Sequence, residues 1–129
     1  MTDREEFLTW FQTTLHGAEL ALHNGDPAPR RALWSRQEPV SVLGAWQNAF
    51  GQQEIDDLFT YLAKSFSDCF SFTVDLLAYD VIGDMAYTAA FEHTSVSVDG
   101  QPLSTPYREW VSQLSVVGME QVRTDVGPG

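Results

Sequence analysis

Glu92 and His93 stand side by side in the run Phe91-Glu92-His93-Thr94, within a stretch patterned as a β-strand. Successive side chains of a strand point to opposite faces, so at most one of the two faces a protein interior. A glutamate desolvated by an apolar pocket holds its proton to higher pH and can serve as an acid or a base. The competing reading pairs that carboxylate with an arginine such as Arg108 on a neighbouring strand. His93 offers an imidazole base, or a ring satisfied by a neighbour or by solvent. Trp34 and Trp46, with Tyr61, Phe66, Phe72 and Phe91, could line a hydrophobic ligand pocket. Core filling and dimer packing would use the same aromatics.

His16, Glu19 and His23 have a spacing that suggests a metal site on one helix. Taking Phe11 as the origin and about 100° per residue, both histidines fall roughly 120–140° around, on the solvated side. No cysteine cluster or further histidine completes a ligand set, so no metal is expected. Cys69 has no cation or helix start beside it and reads as an inert buried thiol. No glycine-rich phosphate loop, serine nucleophile elbow or Walker sequence is present, and no cofactor is expected.

These residues need elements to hold them. Thr2-Asp3-Arg4-Glu5 has capping-box spacing, and Phe7, Phe11, Leu15, Ala18 and Leu22 recur every three or four residues behind it. That predicts a long helix stopping near Asn24-Gly25. Asp26-Pro27 restarts a short helix carrying Leu33 and Trp34, and Val40–Leu43 reads as a brief strand. Ile55, Leu58, Phe59, Leu62 and Phe66 mark a third helix. From Phe70 the period changes to two. Strands are expected up to the Gly83-Asp84 turn, over Met85–Val98, and over Tyr107–Val117. Asp99-Gly100 carries a hairpin signal. Helices first and an antiparallel meander second imply an α+β fold, with helices on one face of a curved sheet.

Composition narrows the function. Seven basic against eighteen acidic residues leave a net charge of −11, unfavourable for phosphate backbones and anionic lipid. Neither nucleic acid nor membrane is therefore expected as a partner. The 129 residues suit one domain, the 43% hydrophobic content can fill a core, and no apolar run is long enough to span a bilayer. The N-terminus lacks a signal-peptide pattern, so a cytoplasmic location is expected.

The element order, with five local strings, resembles the SnoaL-like branch of the nuclear transport factor 2-like superfamily, which includes ketosteroid isomerase. The strings are Leu22-His23-Asn24-Gly25-Asp26, Leu33-Trp34-Ser35, Val42-Leu43-Gly44-Ala45-Trp46, Gly83-Asp84-Met85-Ala86-Tyr87-Thr88, and Phe91-Glu92-His93-Thr94 followed by Asp99-Gly100. The resemblance implies a cystatin-like cone: a strongly curved sheet around a long helix, enclosing an apolar pocket and dimerising through the sheet's outer face. The steroid isomerase's oxyanion-hole tyrosine and base would fall near Ala18 and Leu43, which can do neither job.

What remains implied is a small apolar ligand, with cofactor-independent isomerase, cyclase or dehydratase chemistry. Glu92 and His93 are then the catalytic candidates, and Trp34, Trp46, Phe72, Phe91 and Arg108 the ligand-binding ones. The alternative is a non-catalytic dimerisation or interaction module with a self-filled pocket.

The tail departs from that pattern. The resemblance predicts a Tyr-Arg-Arg-Arg-Asp-Gly hairpin and a basic last strand, where this chain reads Ser115-Val116-Val117-Gly118-Met119-Glu120. A shifted reading frame permits the missing basic residues, which points to a one-nucleotide deletion near Ser115. Without a shift, Met119–Val122 would pair back as a second hairpin strand turning at Gly118.

Overall fold

A computed structural model describes residues 2–43, 48–104 and 113–126. The N-terminal helix begins as expected: the Thr2 hydroxyl accepts from the Glu5 main-chain N–H at 3.2 Å, capping α1 (Asp3–Trp10). A π-helical turn, Phe11–Leu15, joins α1 to α2 (His16–His23). The helix stops at Asn24, followed by Gly25 at φ +98°, a left-handed conformation that suits glycine. The Asp26 carboxylate accepts from the Ala28 N–H at 3.1 Å and opens α3 (Ala28–Ala32). Arg31 then ties α3 to Asp56 and Gln52 of α4 (Gly51–Ser65). A two-stranded ladder, β1 (Ser41–Val42) with β2 (Ala49–Phe50), precedes α4.

The helix α4 runs straight into β3 (Phe66–Ile82), without a loop. Phe66, read as the last residue of the helical stripe, is therefore the first residue of the strand. β4 (Met85–Val98) is the central strand of the main antiparallel sheet. One edge pairs with β3; the other pairs with β5 (Gln101–Ser104) near its end and with β6 (Gln113–Gly118) near its start. Register slips at Ser67/Ser71 and Leu76/Ala78 interrupt the β3–β4 ladder, as bulges do.

The tail is a correction. Residues Met119–Val126 form a helix, α5, and not a second hairpin strand. Met119 and Val122, one helical turn apart, are both 0% exposed and pack with Phe7, Trp10, Phe11 and Ala86. That spacing buries two residues on one helical face, whereas on a strand it would split them between two. Asp125 accepts from the Trp10 indole N–H at 2.8 Å, and Arg123 reaches both Asp3 and Asp84.

Two apolar clusters result. One joins Leu22 to Ile55, Leu58, Phe59, Leu62 and Val96; the other is the Phe7–Met119 group just described. The expected α+β class and antiparallel sheet are present, with α1, α2 and α4 packed against β3. No helix among the described residues is long and apolar enough to cross a membrane.

Candidate functional site

A cavity of about 260 Å³ opens between the N-terminal helix and the β3–β4 face. The helix contributes Phe11, Gln12, Leu15, His16 and Glu19; the sheet contributes Phe72, Thr73, Val74 and Glu92. Its size lies just below the roughly 300–1,000 Å³ usual for small-molecule pockets, so a ligand that fits is small.

Strand alternation sets which groups arrive. Phe72 is opposite Thr94, Val74 opposite Glu92 and Leu76 opposite Ala90, and this row faces the helices. Glu92 therefore reaches the cavity wall. His93 points the other way, where its Nε2–H donates to Asp75 Oδ2 at 3.2 Å. Only one of the adjacent pair faces inward, as expected, and it is the glutamate.

The helix supplies residues that the sequence reading put in solvent. Its buried residues are Phe7 and Trp10 before the π-turn, Phe11 at its first position, and Ala18, Glu19, Leu22 and His23 after it. In one uninterrupted α-helix the centres of those two arcs would differ by about 100°, the rotation of one residue. A π-turn accommodates one extra residue and removes that offset. His16 consequently lines the cavity, its ring 5.5 Å from that of Phe72. His23 is buried and stacks on Phe66 at 4.8 Å. Their expected solvated placement is wrong, because it assumed regular helical phase through Phe11–Leu15.

Buried electrostatics surround the cavity. Glu19 and Arg30 are each 8% exposed, and Glu19 Oε1 accepts from Arg30 Nε at 2.5 Å. The Arg30 guanidinium also lies over the rings of Trp34, at 4.9 Å, and Phe59, at 5.8 Å. His23 Nδ1–H donates to the main-chain carbonyl of Glu19 at 2.6 Å, which fixes that tautomer. Glu92 has its pKa pushed up to about 8, chiefly by burial, then by the negative charge of Glu19, with Arg30 opposing. At neutral pH Glu92 is thus mostly a carboxylic acid, able to donate a hydrogen bond.

The other candidates divide clearly. Phe72 lines the cavity; Trp34 instead meets Phe59 edge-on beneath Arg30. Phe91 pairs with Asp75, on the side of the sheet that carries His93, and is not among the lining residues. Trp46 and Arg108 lie outside the described residues. Cys69 is half-buried, with Sγ 3.6 Å from the Ser71 carbonyl. His16, Glu19 and His23 do not gather as metal ligands: His23 Nδ1 and Glu19 Oε1 are already bonded within the protein. The sequence reading missed Glu19 and Arg30 as site residues. The apolar stripe Phe7, Phe11, Leu15, Ala18 and Leu22 keeps one helical phase, so nothing in it marks Glu19 or Arg30 as buried.

No protein-family model, curated protein or solved structure matches the chain.

Proposed function

We propose that the cavity binds a small apolar molecule bearing a carbonyl group, in a SnoaL-like domain that works without a cofactor. The observation that carries this is the placement of Glu92 in a cavity lined by Phe11, Leu15, Phe72 and Val74 together with the polar Gln12, His16, Glu19 and Thr73. A neutral carboxylic acid in a partly apolar cavity favours a neutral oxygen acceptor and offers a proton to it as charge develops. Isomerisation, cyclisation and dehydration of small carbonyl compounds all use such a donor.

Titration with cyclohexanone, followed by NMR, tests the binding. Saturable shifts are expected for Phe11, Leu15 and Phe72, with cyclohexane giving much smaller ones. Glu92→Leu should weaken binding about tenfold, the loss of one hydrogen bond to a neutral acceptor. Binding should also fall above pH 8, where the acid loses its proton. Unchanged affinity in Glu92→Leu would remove Glu92 from the site.

The opposite sheet face supports association of two copies. Leu77, Ile82, Met85 and Tyr87 are exposed there, with Ile82 opposite Met85 in the ladder. Exposed apolar side chains grouped on one face suit an interface. The expected result is a homodimer by sedimentation that Met85→Lys with Tyr87→Lys converts to monomer. A parent chain that sediments as a monomer at every concentration refutes this face as a dimer interface.

A further inference from the structure

We infer that His16 is a second catalytic group of this cavity, a proton acceptor acting opposite Glu92 on a small ketone with a hydrogen beside its carbonyl. This rests on the carbonyl-binding reading above and adds to it a base and a reaction.

The two groups come from opposite walls. His16 belongs to the helix, immediately after the π-turn, and Glu92 belongs to the central strand β4. His16 leans on Phe72, which shares a sheet face with Glu92; the two ladder positions Phe72↔Thr94 and Val74↔Glu92 are neighbours on that face. Imidazole and carboxyl both line the same cavity of about 260 Å³, one from its helical wall and one from its sheet wall. A ketone lodged there presents its oxygen to one wall and its adjoining C–H to the other.

The remaining histidines are elsewhere. His23 has its Nδ1 bonded to the Glu19 carbonyl and its ring packed on Phe66 and Phe72. His93 is on the far side of the sheet with Asp75. Glu19 also lines the cavity, but its Oε1 is held by Arg30. His16 is half-exposed, so a proton it takes up can exchange with water. Among the described lining residues it is the one imidazole.

The step balances within the site. The unprotonated ring nitrogen of His16 takes a proton from the carbon beside the carbonyl. The C–H electron pair becomes the C=C bond, the carbonyl π pair moves to oxygen, and Glu92 gives its proton to that oxygen. An enol, an imidazolium and a Glu92 carboxylate result. The reverse step returns a proton to carbon, and in heavy water that proton is a deuteron.

Deuterium uptake by cyclohexanone in heavy water, measured by mass spectrometry on the full chain, tests this. The parent chain is expected to accelerate uptake over buffer. His16→Gln should lower the protein-catalysed rate about 100-fold, the lower range for a general base, while the NMR shifts for bound cyclohexanone persist. His16→Ala should regain uptake when free imidazole is added, above the imidazole-only background, which a structural role would not produce. The rate should decline above pH 8 as Glu92 ionises beside Glu19 and Arg30. Binding without uptake, or uptake by His16→Gln at the parent rate, overturns the role of His16 and leaves the pocket standing. Absence of binding overturns the carbonyl reading and this inference together.

Discussion

Glu92→Gln is expected to be more stable than the parent chain above pH 8 and to lose most of the parent's pH dependence below it. The Glu92 carboxyl has a pKa near 8 in the folded protein against an ordinary 4.5, because burial and the Glu19 charge disfavour its ionised form. Between those two values the folded chain holds a proton that the unfolded chain has released. Stability therefore falls as pH rises through this window, by at most about 1.4 kcal/mol per pH unit, and levels off above 8. Glutamine keeps the shape and cannot ionise, so the slope disappears. Urea unfolding from pH 5 to pH 9 measures it. Parallel stability curves for the two proteins would mean that Glu92 is solvated or already ionised, and the acid chemistry proposed for the cavity would fail with it.

The Glu19–Arg30 pair carries the second large effect. Arg30→Met is expected to destabilise the fold by about 3–5 kcal/mol, because it leaves a buried carboxylate without its guanidinium. Glu19→Gln combined with Arg30→Met should recover most of that loss, since the double variant buries no unpaired charge. Equal destabilisation in single and double variants would assign the effect to the packing of Arg30 on Trp34 and Phe59 instead. The same variants move Glu92 in opposite directions. Glu19→Gln removes a repelling charge and lowers the Glu92 midpoint; Arg30→Met removes an attracting one and raises it. A carbon-detected NMR titration of Glu92 reads both.

Much of this fold follows from local chemistry. Thr2 caps its helix, Gly25 ends it, Ile55 to Leu62 bury one face of α4, and Asp99-Gly100 turns a hairpin. Each depends on neighbours within a few residues, where spacing determines the outcome. Glu92 was half legible for a related reason: alternation sends it and His93 to opposite faces. Only the packing of β4 on β3 and the helix decides which of them faces inward. Glu19 and Arg30 were not legible, because eleven positions separate them and their pairing exists only after α3 folds back on α2. His16 was hidden by the Phe11–Leu15 turn, whose sequence, Phe-Gln-Thr-Thr-Leu, is compatible with an ordinary helix. The tail failed differently: with Gly118 read as a turn, Met119 and Val122 looked like strand residues until contacts with Phe7 and Trp10 were visible.

The π-turn also bears on ancestry. A turn of that kind holds one residue more than the helix around it needs, so a relative without it would be one residue shorter between Trp10 and His16. An ungapped comparison across that segment would set Glu19 and His16 against residues from a different helical face, while every residue of α1 still matched. A related chain sharing the same cavity would then show agreement in α1 and disagreement throughout α2. Kinship to this protein is best sought by comparing the two sides of residues 11–15 separately, with a single-residue gap allowed between them.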